Sequence, residues 1–231
     1  MQRPSSSQEA MIVLSLCDRT GIMVQPWLEA GYECMIVDAQ HPTGTTREGR
    51  LFRVGRDVRQ FSHEDILEPV AIVFAFPPCT NLAVSGARWF DDKGLEALYQ
   101  SLGLVVACKR ICEASGAPWM IENPVGTLSS YWRKPDYTFQ PWQYGDTYTK
   151  QTCLWTGGGF VMPPAWVAHK PADVKASIHL MPPSADRGDK RSVTPEGFAR
   201  AVFAANDPIV RSAQSSDWDR LDAVTGLPKP A

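Results

Sequence analysis

No stretch of this 231-residue chain is apolar for as long as a membrane span, and the first ten residues are polar, without the apolar core of a secretory leader. Both absences point to a cytoplasmic protein. Neither sign of charge is in excess: 23 Lys+Arg stand against 25 Asp+Glu, a net charge of −2, so there is no global basic field, although a local basic groove is compatible with it. Six cysteines are too few for a disulfide scaffold and read as reduced thiols. No CxxC or HExxH spacing occurs, and His41, His63, His169 and His179 are scattered, so no metal centre is expected; Cys108 and Cys112, four apart on a predicted helix, read as core. Glycine is scarce where a phosphate loop would need it. The turn Cys17-Asp-Arg-Thr-Gly21 has one, which argues against both the dinucleotide fingerprint and the P-loop. No internal repeat is present.

What is there alternates. Met11–Leu16 is an apolar run, followed by the turn to Gly21 and a helical stretch over Ile22–Ala30. Tyr32–Ala39 is a second apolar run with Asp38 near its end, Leu51–Gly55 a third with Asp57 just beyond, and Ile72–Phe76 a fourth. Leu95 to Glu113 carries apolar residues at helical spacing, and Pro118–Ile121 is a fifth strand closed by Glu122-Asn123-Pro124. Short β-like pieces are expected near Tyr137–Trp142 and Thr152–Trp155. Thr194-Pro195-Glu196 opens a helix through Ala205, with Thr as cap and Pro at the first helical position. This order predicts an α/β fold, a mostly parallel sheet with helices on both faces. In such folds ligands sit outside the carboxyl ends of the strands. The turns at Asp18–Gly21, Asp38, Asp57 and Pro77–Asn81 all fall at such ends, so one crevice collects them. The expected organisation is a disordered segment over 1–10, a catalytic core over 11–155, a small variable lobe over 156–190, a helix returning to the core over 191–211, and a tail over 212–231.

The run Ala71-Ile-Val-Phe-Ala-Phe-Pro-Pro-Cys79 delivers a thiol from a strand end onto a turn whose two prolines fix φ and remove backbone donors. An isolated cysteine is more often a small buried hydrophobe; the stiff turn is what favours a nucleophile held in place. Glu122 is either a solvated strand terminus or a carboxyl on the strand beside that of Cys79, where burial would favour its protonated form and a general-acid role. Asp38 and Asp57 are either loop acids or a pair suited to a nucleoside, one for ribose hydroxyls and the other for an exocyclic amine. A cofactor without a pyrophosphate needs fewer glycines, which points to S-adenosylmethionine. Trp89, Trp132, Trp142, Trp155 and Trp166 are core by default and base-stacking platforms as the alternative. Arg187-Gly-Asp-Lys-Arg191 is a solvated loop by default and a set of phosphate contacts otherwise.

Phe76-Pro-Pro-Cys-Thr-Asn-Leu-Ala-Val-Ser-Gly86 resembles the Pro-Cys loop of DNA cytosine-C5 methyltransferases, and Ile121-Glu-Asn-Pro124 resembles their Glu-Asn-Val motif. Leu14-Ser-Leu-Cys-Asp-Arg-Thr-Gly21 with Glu29-Ala-Gly-Tyr32 is similar to their first cofactor motif. The segments Gln143-Tyr-Gly-Asp146, Tyr148-Thr-Lys-Gln-Thr-Cys-Leu-Trp155 and Arg191-Ser-Val-Thr-Pro-Glu-Gly-Phe-Ala-Arg200 are most similar to the short, phage-type members. The resemblance implies a Rossmann-like methyltransferase fold with a small recognition lobe, acting in a bacterial or phage-infected cytoplasm. It implies Cys79 and Glu122 as catalytic residues; Leu16, Cys17, Asp18, Gly21, Asp38, Asp57 and Pro77 around S-adenosylmethionine; and Pro78, Asn81, Ser85, Asn123, Lys150 and Arg191 around the target cytosine of DNA, flipped from its stack. Lys150 or Arg191 stands in for an arginine that touches the base's O2. The space between Gly157 and Arg191 implies a reduced recognition region and a short or relaxed DNA specificity. Amino-methyltransferases also use a strand-end Pro-Pro turn but with a polar residue before it and an aromatic after; Phe76 and Cys79 occupy those places here, which favours C5 chemistry. An RNA or nucleotide substrate, and a binder without turnover, are the remaining alternatives.

Overall fold

The computed structural model describes residues 11–84, 90–174 and 193–208. The segments 1–10 and 212–231, Ser85, Trp89, Arg191 and the basic cluster before it lie outside the described residues. The strands are β1 (Ile12–Leu16), β2 (Glu33–Val37), β3 (Gly44–Glu48), β4 (Leu51–Gly55), β5 (Val70–Ala75), β6 (Trp119–Pro124), β7 (Tyr137–Phe139) and β8 (Thr152–Gly157). The helices are α1 (Gln25–Glu29), α2 (Phe90–Ala114), α3 (Leu128–Tyr131) and α4 (Glu196–Asn206).

All eight strands form one mixed sheet in the order β3-β4-β2-β1-β5-β6-β8-β7. The run from β4 to β6 is parallel, and β3 and β8 are antiparallel to their neighbours. The order is compatible with a Rossmann-like α/β fold, whose strands run outward from β1 in one direction and then in the other. The central strands are largely apolar because both faces of the sheet are covered. On one face Ile12, Leu14, Leu16, Val73 and Ile121 pack against Val105, Cys108, Ile111 and Cys112 of α2. On the other, Val13, Ile36, Ile72, Phe74 and Met120 pack against Trp27 of α1 and Phe198, Val202 and Phe203 of α4. The period-two alternation of the strands thus divides one apolar run between two cores.

Several elements differ from the sequence expectation. The first helix starts only at Gln25, with Pro26 in its first turn, where the missing N–H costs nothing; Ile22–Val24 form a turn. β3 is an added edge strand whose five residues are all exposed, so it has no apolar period to betray it. α2 begins at Phe90 rather than Leu95 and is interrupted at Gly94, whose φ of 71° is outside helical space. β6 continues through Glu122-Asn123-Pro124 because β8 pairs with it to the end, Glu122 opposite Leu154 and Pro124 opposite Thr152. At the last helix the cap falls on Pro195 and the helix begins at Glu196, one residue later than predicted.

Candidate active site

The strand order reverses between β1 and β5, which places a crevice outside their carboxyl ends. The four turns singled out in the sequence each follow the carboxyl end of a parallel strand: Cys17–Gly21 after β1, Asp38 after β2, Asp57 after β4 and Phe76–Asn81 after β5. The backbone N–H of Phe76 donates to the Leu16 carbonyl at 2.9 Å, joining the first turn to the last.

In the first turn Cys17 holds a positive φ of 53°, unusual for a residue with a side chain. Asp18 is buried, and its carboxylate shapes the turn. Oδ2 accepts from Ser15 Oγ at 2.8 Å, while Oδ1 accepts from the Gly21 N–H at 2.8 Å and from the Thr20 N–H and hydroxyl at 3.0 and 3.2 Å. What Asp18 offers a ligand is therefore a fixed turn rather than an open carboxylate. His41 Nε2 lies 3.1 Å from the Asp18 carbonyl, which can only accept, so that nitrogen carries the proton. Beside the turn is a cleft of about 160 Å³ lined by Thr20, Gly21, Ile22, Glu196, Ala199 and other residues of α1 and α4. Leu16, expected beside the cofactor, has no exposed surface, and its carbonyl is taken by the Phe76 N–H, so it supports the turn without lining the crevice.

Asp38 is half-buried, and its Oδ1 accepts the Gln40 N–H at 2.7 Å. Asp57 caps the 3₁₀ turn Val58–Gln60 by accepting the Arg59 N–H at 2.8 Å. The Arg59 guanidinium also clasps it through both carboxylate oxygens, which holds its carboxyl below the usual range. Of the two acids, Asp38 has more of its carboxylate available.

The Pro77-Pro78-Cys79 turn is held from three sides. Asn123, fully buried on β6, donates from Nδ2 to the Pro77 carbonyl at 2.9 Å. The Cys79 carbonyl accepts the N–H groups of Leu82 and Ala83, both at 2.9 Å, and Leu82 in turn accepts the Thr127 N–H at 2.8 Å. Lys93 Nζ donates to the Thr80 carbonyl at 2.9 Å. Ala83 bridges to Gly126 so closely that a Cβ on Gly126 would stand 2.0 Å from the Leu82 oxygen. Pro77 is buried, Pro78 exposed and Cys79 half-buried. Asn81 faces α2, donating to Ser101 Oγ at 2.9 Å and to the Ala97 carbonyl at 3.3 Å, so its amide anchors the loop instead of lining the crevice.

Glu122 lies on β6, the parallel neighbour of β5. Lys150 Nζ is 3.4 Å from its Oε1, with the two side chains only 15% and 14% exposed. That is ion-pair distance without hydrogen-bond alignment: Oε1 is buried with no donor directed at it among the described residues. Of the two sequence readings of Glu122, solvated terminus or buried carboxyl, the side chain is mostly buried, and a lysine stands against it. Lys150, one of the two basic candidates named from sequence, stands at this carboxylate, and the other, Arg191, lies outside the described residues.

Tyr148 and Cys153 near Glu122, and Asp146 near Tyr148, carried no assigned role. Burial first, then the charges of Asp146 and Glu122, push the Tyr148 hydroxyl far up. Burial and the Glu122 charge raise the Cys153 thiol. Burial and Glu196 raise Asp146 to about 6. The run Tyr144-Gly-Asp-Thr-Tyr148 has no periodicity, and only its resemblance to the phage-type segment drew attention to it. Of the tryptophans, Trp155 is buried with Trp132 stacked on it at 5.8 Å, and Trp166 packs edge-on against Tyr144. Cys108 and Cys112 are fully buried, as core. Among the described residues no helix is long and apolar enough to cross a membrane. In comparisons with known proteins, no family model matches the chain and no curated protein is significantly similar to it.

Proposed function

We propose that the chain is an S-adenosylmethionine-dependent DNA (cytosine-5)-methyltransferase with Cys79 as nucleophile. The observation that carries this reading is the meeting of two motifs at adjacent parallel strand ends. The Pro77-Pro78-Cys79 turn follows β5, Glu122 lies on β6, and the Asn123–Pro77 hydrogen bond pins the two together beside the switch point.

The residues fit the cofactor in three respects. The crevice between β1 and β5 requires no pyrophosphate loop, and the turn's two left-handed positions fall on Cys17, at a φ of 53°, and Gly21, at 72°. Asp38 keeps Oδ2 for a ribose hydroxyl. The cleft beside Thr20 and Gly21 presents the Glu196 carboxylate to an α-amino group. Asp57 fits an exocyclic amine less well, because Arg59 already occupies both of its oxygens. When bound, S-adenosylmethionine supplies an electrophilic methyl group.

Cytosine C5 is a poor nucleophile until a thiolate adds to C6. Cys79 forms that bond, and the ring becomes an enamine at C5. Charge then develops toward N3 and O2; Glu122 holds a proton at N3, and the Lys150 ammonium places positive charge beside it. After methylation, loss of the C5 proton expels Cys79 by elimination. The reacting atoms are inaccessible in a stacked duplex, so the base is flipped out. The stiff turn reduces the ordering cost of aiming the thiol.

Incubation with labelled S-adenosylmethionine and cytosine-containing DNA is expected to place label at C5. Cys79→Ala should reduce incorporation below detection while cofactor binding persists. DNA bearing 5-fluorocytosine should trap the wild-type chain covalently. Absence of incorporation by folded, cofactor-binding protein would refute the enzyme reading, and active protein that escapes the trap would shift the reaction to an amino group.

A further inference from the structure

The reaction above leaves one pair of nucleophilic groups unused. Cys17 Sγ and Cys108 Sγ lie 3.9 Å apart, the first on the turn after β1 and the second in α2 on the face that covers β1. The two differ in access: Cys17 is half-buried, Cys108 has no exposed surface. Cys34 and Cys153 belong to other strands, and Cys112 lies one turn further along α2. Of the cysteine pairs, only Cys17 and Cys108 have their sulfurs in contact among the described residues.

We propose that Cys17 is an oxidative modification site, and that Cys108 resolves it to an intramolecular disulfide which closes the first turn of the crevice. The oxidant is a hydroperoxide. The Cys17 thiolate attacks the peroxide, an S–O bond forming as the O–O bond breaks, and leaves Cys17 as the sulfenic acid with one water or alcohol released. Cys108 sulfur then attacks Cys17 sulfur; the S–S bond forms, the S–O bond breaks, and the departing hydroxide leaves as water with the Cys108 proton. Two thiols lose two electrons and two protons to one peroxide. The order of events follows from access: solvent and oxidant reach Cys17 first. Contact with Cys17, and then burial, hold the Cys108 thiol well above its ordinary range, so it stays protonated and is not the group that meets the oxidant first.

A disulfide brings its sulfurs to about 2.0 Å, so the pair must close by about 1.9 Å. Cys108 sits in a packed helix, whereas Cys17 sits in a short turn at positive φ, so the turn is what moves. Drawing Cys17 toward α2 disturbs the Asp18 N–H bond to the Val37 carbonyl and the Asp18 contacts that shape Thr20 and Gly21. That turn borders the cleft assigned to the cofactor. The effect on cofactor binding therefore rests on the reading of the crevice given above; the disulfide itself does not.

The test treats the full chain with a small excess of hydrogen peroxide, alkylates it, and maps its peptides without reductant. A Cys17–Cys108 linked peptide is expected in most molecules. It should be absent from Cys108→Ala and retained in Cys112→Ala. In a Cys79→Ala background, where oxidation of that thiol cannot contribute, calorimetric affinity for S-adenosylmethionine should fall about tenfold on oxidation and recover with dithiothreitol. Separate alkylation of Cys17 and Cys108 after treatment, or a link from Cys17 to a second chain, overturns the proposal. A formed link with affinity unchanged within twofold overturns its regulatory part. If the reduced protein binds no S-adenosylmethionine, the cofactor reading fails, and the peptide map still decides the disulfide.

Discussion

Asp146 keeps its proton to about pH 6, against an ordinary 3.8, because burial disfavours its charge and Glu196 adds a second negative group nearby. Between those two values the folded chain binds more proton than the unfolded one, so this residue's contribution falls as pH rises across the window and is fully unfavourable above it. Asp146→Asn should therefore stabilise the protein at pH 7.5, on the order of 1 kcal/mol once solvent screening of a half-buried group is allowed for. At pH 4 the gain should vanish. Urea midpoints at the two pH values check this, and an equal gain at both would show that the charge is not the cause. The contrast with Asp18 is instructive. It is more deeply buried, yet its two oxygens take four hydrogen bonds, whereas Asp146 leaves Oδ2 buried without a donor among the described residues. Composition does not separate the two aspartates; the partners supplied by the fold do.

The elements that hold the Cys79 turn come from distant parts of the chain. β5 and β6 are joined through α2, and the turn is fastened by Asn123 on β6, Thr127 before α3 and Lys93 in the first turn of α2. Gly126 matters most here, because its backbone passes against Leu82 with no room for a side chain. Gly126→Ala should either break the bridge to Ala83 or displace the turn. We expect a loss of stability of about 1–3 kcal/mol, the range for a buried backbone group left unpaired, measured by denaturant unfolding. On the function proposed above, a larger effect is expected on turnover than on S-adenosylmethionine affinity, since the displaced residue is Cys79 and not the β1 turn. Wild-type stability in the alanine variant would mean that the backbone yields without cost. The motif around Cys79 could be read along the chain; the glycine that lets a second segment lie against it could not.

Across the whole molecule the two faces of the sheet are closed by helices of different origin. Trp27 is the junction on one of them: it packs edge-on against Tyr32 at 5.2 Å and Phe203 at 5.0 Å, and lies 6.2 Å from Phe74, so α1, β5 and α4 meet on one ring. The Glu29–Arg200 ion pair links the same two helices at the surface, where such pairs contribute little. Trp27→Ala is expected to cost about 3–5 kcal/mol through the lost apolar contact and the cavity left behind. Calorimetry should show a single lowered transition. Because α1 and α4 both border the cleft beside Gly21, S-adenosylmethionine affinity should fall with it on the function proposed above, whereas Arg200→Ala should leave the melting temperature nearly unchanged.

The central strands, the long helix and the Cys79 turn are local properties: apolar runs, helical spacing and two consecutive prolines declare themselves within a few residues of chain. β4 was legible to the residue, and Asp38, Asp57 and Cys79 were rightly expected at strand ends, because parallel strands end in polar turns whatever surrounds them. β3 was not, since an edge strand exposed on all its residues has no pattern that distinguishes it from loop. Nor did any local feature reveal that Asn81 turns toward α2, that Arg59 occupies Asp57, that Lys150 reaches Glu122, or that Cys17 touches Cys108 across 91 residues of chain. Those pairings depend on strand order and helix placement. Tertiary structure decided them because hydrogen bonds and ion pairs act over a few ångströms of space, without regard to separation along the chain.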